Sequence, residues 1–112
     1  MELMQIEVTA RFKRDLRILA KKYRRIRQDI QPIINRLETG NLLGDRVAGV
    51  GYTIFKLRIK NSDVQKGKSG GYRIIYYLQT KEKIILVTIY SKSEREDITT
   101  KEIKQILSEF KL

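Results

Sequence analysis

The run Phe55-Lys56-Leu57-Arg58-Ile59-Lys60 alternates strictly between apolar and basic residues. Side chains on a strand point alternately to its two faces, so Phe55, Leu57 and Ile59 fall on one side and Lys56, Arg58 and Lys60 on the other. Two further extended runs come after it. Tyr72 to Leu78 starts after Gly70-Gly71, and Lys83 to Tyr90 starts after Thr80-Lys81-Glu82, a stretch suited to a hairpin turn. Ile84 to Ile89 is apolar at nearly every position, the pattern of a central strand. Three strands joined by local connections predict an antiparallel sheet.

Upstream the period changes from two to that of a helix. Phe12, Leu16, Leu19, Ala20 and Tyr23 form one apolar stripe behind Thr9, a natural N-cap. Ile26, Ile30, Ile33, Ile34 and Leu37 form a second stripe, stopped by Gly40. Pro32 lies inside that second pattern, so the helix either begins late, near Gln28, or kinks at the proline. Gln5 to Val8 alternates as a short first strand, and the glycine-rich segment from Gly44 to Gly51 reads as a loop. At the other end, Thr99 and Glu102 make a capping-box pattern ahead of Ile103, Ile106, Leu107 and Phe110. The order is β-α-α-β-β-β-α over one domain, residues 1–112. The expected architecture is α+β: a helical hairpin packed on a mainly antiparallel sheet, with the helices on one face. Leu16, Leu19, Ile30, Ile34 and Leu37 are expected to meet Leu57, Ile74 and Leu86 in the core.

Composition narrows the chemistry. The 112 residues contain no Cys and no His. A disulfide framework, a thiolate metal site and a cysteine nucleophile are excluded, and so is histidine acid–base catalysis. The chain carries 24 Lys and Arg against 13 Asp and Glu, a net charge of +11. The bases cluster. Arg11, Lys13, Arg14, Arg17, Lys21, Lys22, Arg24, Arg25 and Arg27 face only Asp15 in the first zone, and Lys56, Arg58, Lys60, Lys66, Lys68 and Arg73 face only Asp63 in the second. Such a field favours polyanions such as RNA or DNA. The first ten residues lack an apolar stretch of signal-peptide length, and Ile84-Ile85-Leu86-Val87 is too short for a bilayer. The expectation is a cytoplasmic protein with no membrane partner.

Two motif resemblances fail on spacing. Gly67-Lys68-Ser69 resembles the end of a P-loop, but Ser62 stands where the first glycine belongs and a strand comes next instead of a helix. Gly49-Val50-Gly51 has Ile54 where a dinucleotide fingerprint needs its third glycine. Glu94, Glu96 and Asp97 read as the solvated approach to the last helix. The constellation that remains is cationic. If the first two strands of the hairpin series pair, Lys56 or Arg58 and Arg73 share a face, with Lys66 and Lys68 in the connecting loop and Tyr90, Ser91 and Lys92 at the end of the next strand. The same residues would also decorate an ordinary wet sheet face.

Three segments carry a more specific signal: Phe55-Lys56-Leu57-Arg58; Gly67-Lys68-Ser69-Gly70-Gly71-Tyr72-Arg73-Ile74-Ile75-Tyr76-Tyr77; and Ile89-Tyr90-Ser91-Lys92-Ser93-Glu94-Arg95-Glu96-Asp97-Ile98. In this order they resemble the RelE/ParE superfamily of type II toxin–antitoxin toxins, closest to the HigB-like branch, over about Met4 to Phe110. The resemblance implies a ribosome-dependent mRNA endoribonuclease that inhibits translation and is neutralised by a cognate antitoxin. It implies attack of the RNA's own 2′-hydroxyl on the scissile phosphate, with no cofactor and no metal ligands. Matched to the family's motif, Arg58, Lys68, Arg73 and Lys92 are the expected catalytic residues, and Lys56, Lys60, Lys66 and Tyr90 are expected to bind RNA. Ser93 and Thr99 stand where several RelE-type toxins carry Arg and Tyr, so the resemblance leaves the general acid and base unassigned. Two other functions fit the same fold: a ParE-like inhibitor of DNA gyrase, which does not keep the basic set, and a basic RNA-binding protein without activity.

Overall fold

A computed structural model describes residues 3–64 and 71–110. The elements run β1 (Gln5–Val8), α1 (Ala10–Lys22), α2 (Ile26–Glu38), β2 (Asp45–Val47), β3 (Ile54–Ile59), β4 (Tyr72–Thr80), β5 (Lys83–Ser91) and α3 (Thr100–Glu109). The five strands form one sheet in the order β1-β5-β4-β3-β2. All neighbours are antiparallel except β1 and β5, which run parallel. The fold is the expected α+β arrangement with one added edge strand, β2, inside the glycine-rich segment read as a loop. Three residues are too few to show a period, so alternation could not mark this strand.

Thr9 begins α1 and also fastens it. Its hydroxyl oxygen accepts from the Phe12 amide at 2.9 Å, while the hydroxyl donates to the Val87 carbonyl at 2.7 Å and the Thr9 amide to the Leu86 carbonyl at 3.1 Å. The N-terminal cap therefore docks the helix on β5. The second helix starts at Ile26 and runs through Pro32 to Glu38; it does not start near Gln28. The Arg25 amide ahead of it donates to Asp63 Oδ2 at 2.9 Å, so a partner from the turn after β3 occupies the place of a side-chain cap.

The core has two parts, one on each face of the sheet. Phe12, Leu19, Ile26, Ile30 and Leu37 pack with Leu57, Ile74, Ile84, Leu86 and Ile89, and Leu16 and Ile34 lean against this group half-buried. That is the expected hairpin core. Ile103, Ile106 and Leu107 of α3 pack instead with Val50, Ile54, Ile75 and Val87. The expectation that all helices share one face is corrected: α3 covers the opposite face. The reason lies in the strands. Ile54, Ile75 and Val87 make that second face apolar, and it needs a cover of its own. The middle of the sheet is held by β4, and β5 is an interior strand beside it, buried from Ile84 to Ser91.

One irregularity in β5 sets the direction of its last residues. Ile75 pairs with Thr88 but Tyr76 pairs with Leu86, so β5 carries one extra residue at Val87. Leu86 and Ile89 both face the helical hairpin as a result, while Val87 and Tyr90 both face α3. Strict alternation from Leu86 would have put Tyr90 on the hairpin side. A β-bulge re-aims every side chain beyond it.

Candidate active site

The alternation from Phe55 to Lys60 sets the site. Leu57 and Ile59 point into the hairpin core, which turns Lys56 and Arg58 to the α3 face. The register then places Arg58 directly opposite Arg73, and Arg73 directly opposite Tyr90. Arg58, Arg73 and Tyr90 thus form a row across three adjacent strands, one residue each from β3, β4 and β5. Their apolar neighbours on this face are Ile54, Ile75 and Val87, and α3 lies over those. The row sits toward the other end. Arg58 is exposed, Arg73 half-buried and Tyr90 buried.

Gly71 fixes where β4 begins. Its φ is +68°, and a Cβ there would collide with the Ile59 carbonyl. The backbone of Gly71 therefore lies against the end of β3, in a conformation that favours glycine. Its carbonyl accepts from the Lys92 amide at 3.0 Å, which draws the end of β5 to the same corner.

Asp97 stands over the row. Its Oδ1 accepts from three donors: Lys56 Nζ at 3.2 Å, the Tyr90 hydroxyl at 3.3 Å and the Ile98 amide at 2.8 Å. Lys56 is on β3 and Tyr90 on β5. Backbones two strands apart are separated by roughly 10 Å, so one oxygen reached by both lies above β4, on the face that carries Arg73. The Arg95 guanidinium lies 5.8 Å from the centre of the Tyr90 ring and grips both carboxylate oxygens of Glu102. Glu102 Oε2 also accepts from Arg11 at 3.0 Å, tying α1 to α3. The capping box is consequently only half used. Thr99 accepts from the Glu102 amide at 3.1 Å, but the Glu102 side chain turns to the two arginines.

Electrostatics follow from these contacts. Burial, with the Asp97 carboxylate adding to it, pushes the Tyr90 phenol up to about 12; Arg73 and Arg95 pull it back in part. Tyr90 is a neutral hydroxyl at pH 7, as an ordinary phenol is, and a weaker acid than one; its hydrogen is directed at Asp97. The Ile98 amide, the Lys56 ammonium and the Tyr90 hydroxyl hold Asp97 below its ordinary value, so it is an anion there.

Of the residues singled out in the sequence, Lys56, Arg58, Arg73 and Tyr90 come together. Lys60 is exposed just beyond β3. Lys92 is half-buried after β5, and its ammonium donates to the Glu96 carbonyl at 2.8 Å, within the segment that delivers Asp97. Lys66 and Lys68 lie outside the described residues. Asp97 and Glu94 are exposed, in keeping with their reading as solvated, but sequence reasoning missed their partners. Glu94 accepts from Lys22 at 3.1 Å and Tyr23 at 3.2 Å and anchors the end of α1. The signal available for Asp97 was its place in the segment that ends the family-like motif; its partners sit 41 and 7 residues away. Among the described residues no group of three or more carboxylates is placed to hold a metal ion, and no helix is long and apolar enough to cross a membrane.

Two guanidinium groups, an ammonium and a neutral hydroxyl on one face, the hydroxyl buried and Asp97 over it, are groups of the kind that bind the non-bridging oxygens of a phosphodiester. The family described as the RelE toxin of the RelE/RelB toxin–antitoxin system matches this chain over residues 4–110.

Proposed function

The chain belongs to the RelE toxin family, and from that membership we propose that it is a ribosome-dependent mRNA endoribonuclease that inhibits translation. The family assignment makes it the toxin of a toxin–antitoxin pair, with a RelB-type antitoxin as partner. Members of the family are in general mRNA-cleaving toxins. The observation that supports cleavage in this chain is the in-register row of Arg58, Arg73 and Tyr90 with Lys56 beside it.

In the proposed reaction the 2′-oxygen of the RNA attacks the adjacent phosphorus, the bond to the 5′-oxygen breaks, and a 2′,3′-cyclic phosphate and a 5′-hydroxyl result. The 2′-hydroxyl gives its proton to water and the 5′-oxygen takes one from water, so the reaction is proton-neutral overall. Arg73 and Arg58 stabilise the charge that grows on the non-bridging oxygens, where fixed guanidinium forks act most strongly. Tyr90, a neutral hydroxyl beside the two guanidinium groups, hydrogen-bonds the reacting oxygens. Lys92 and Lys68 complete the proposed catalytic set; Lys56, Lys60 and Lys66 hold the flanking backbone. Dependence on the ribosome means that the ribosome supplies the RNA already bent for in-line attack, the entropic part of the barrier.

The test is cleavage of a defined mRNA by purified protein, with and without translating ribosomes, in single turnover on saturating ribosomes. Cutting only on ribosomes is the expected result. Cutting of naked RNA would remove the ribosome from the proposal, and arrest of supercoiling by DNA gyrase without any cleavage would replace it with a gyrase-directed toxin.

A further inference from the structure

Asp97 is an anion placed where a nucleic acid would be expected to bring one. Its Oδ1 occupies the point above β4 on which the Lys56 ammonium and the Tyr90 hydroxyl converge, at 3.2 and 3.3 Å. Arg73 lies on the same face one register step from Lys56, since Lys56 pairs with Ile75 and Arg58 with Arg73. We propose that the Asp97 carboxylate is an internal competitor of the substrate: it fills the seat of one phosphate oxygen in the free protein and must swing out when RNA binds. The proposal rests on the nuclease reading only for the identity of the incoming phosphate as part of an RNA chain.

Three features support a seat that is held but not locked. The Lys56–Asp97 pair is open to solvent, with side chains 32% and 60% exposed, and exposed pairs bind weakly. The Tyr90 proton is directed at Asp97, so while the carboxylate is seated the hydroxyl cannot give that hydrogen bond to anything else. The third contact, from the Ile98 amide at 2.8 Å, joins neighbouring residues and holds the carboxylate in place through a local turn. Asp97 pairs with the Lys56 ammonium, and a phosphodiester on this face meets the same ammonium with the exposed Arg58 two residues along the strand. Displacement frees Lys56 for the RNA backbone and Tyr90 for the reacting oxygens in the same movement.

The experiment measures binding of a fluorescent single-stranded RNA whose 2′-hydroxyls are all methylated, so that it cannot be cut, as a function of salt. Asp97→Asn keeps an oxygen for the Ile98 amide and removes the charge. It is expected to bind about two- to fivefold more tightly, the scale of an exposed ion pair. Its plot of log affinity against log salt should be steeper by about 0.7, the increment for one more phosphate neutralised on a single strand. Asp97→Ser, whose hydroxyl also accepts from a nearby amide, should do the same and guards against a folding defect of the first variant. Both effects should vanish when Lys56→Met is added. Glu96→Gln removes an equal charge one residue away and should leave the slope unchanged. Equal behaviour of Glu96→Gln and Asp97→Asn would reduce the effect to general charge and overturn the proposal, as would unchanged or weaker binding by both Asp97 variants. Ribosome-bound cleavage is followed in parallel. A protein that shows the binding pattern yet cuts no mRNA would overturn the nuclease reading and leave the role of Asp97 standing.

Discussion

Arg58 and Arg73 stand directly opposite each other across β3 and β4. Like charges in opposed positions destabilise a sheet, so the pairing of these two side chains adds nothing to the fold. The row separates fold from function in a measurable way. Arg58→Gln should leave the thermal midpoint equal to or slightly above that of the parent while cleavage on ribosomes falls. Arg73→Lys keeps the charge but loses the bidentate fork, and cleavage should drop by roughly a hundredfold or more, as for loss of one charge-stabilising contact in a transition state. Single-turnover rates and melting curves on the same samples check both. A full cutting rate in folded Arg73→Ala would remove Arg73 from the site.

Gly71 predicts a different pattern. Its positive φ and its contact with the Ile59 carbonyl leave no room for a side chain. Gly71→Ala should destabilise the protein by about 1–2 kcal/mol from the backbone conformation alone, and by more from the collision. Because the same glycine fixes the start of β4, cleavage and stability should fall together, in contrast to Arg73→Lys. Denaturant titration beside the cleavage assay shows whether they do.

The hairpin core predicts a purely structural loss. Leu86 is 1% exposed, between the first helix and the sheet. Leu86→Ala should cost about 2–5 kcal/mol, the range for a buried leucine truncated to alanine. An unchanged melting midpoint would mean that the hairpin does not cover this strand.

Acid stability turns on Glu102. Hydrogen bonds from Arg95 hold its carboxyl below the ordinary value of 4.5, with Arg11 adding to the effect. A carboxyl whose folded value is depressed stabilises the folded state above its unfolded value and ceases to do so as pH falls through the folded one. The contribution is therefore complete above about pH 4.5 and is lost below it. Glu102→Gln should flatten the acid limb of a stability-against-pH curve and lower its plateau at neutral pH. An acid limb identical in the two proteins would place the effect on other carboxyls.

Much of this was legible in the sequence because it depends on period. The stripes Phe12 to Tyr23 and Ile26 to Leu37 marked the hairpin, the alternation from Phe55 to Lys60 marked a basic face, and Thr9 and Thr99 marked helix starts. What escaped depends on register and distance. The bulge at Val87 turns Tyr90 to the Arg73 face, and nothing in Leu86-Val87-Thr88-Ile89 announces an extra residue. The side taken by α3 was open because its own stripe is the same whichever face it covers. Asp97 is solvated as it looked, but its partners on β3 and β5 could not be read, because a charge among charges has no pattern.

The parallel pairing of β1 with β5 has a consequence for how the protein is made. Gln5 to Val8 find their partners at Lys83 to Leu86, and the row needs Arg58, Arg73 and Tyr90 at once. During synthesis the first strand waits for most of the chain, and contacts between such distant segments form late. The row has no third member, and Asp97 no place to sit, until the segment through Asp97 has left the ribosome. A growing chain of this kind lacks the assembled row until that segment has emerged, and the antitoxin partner that the family implies meets a toxin completed only at that late point.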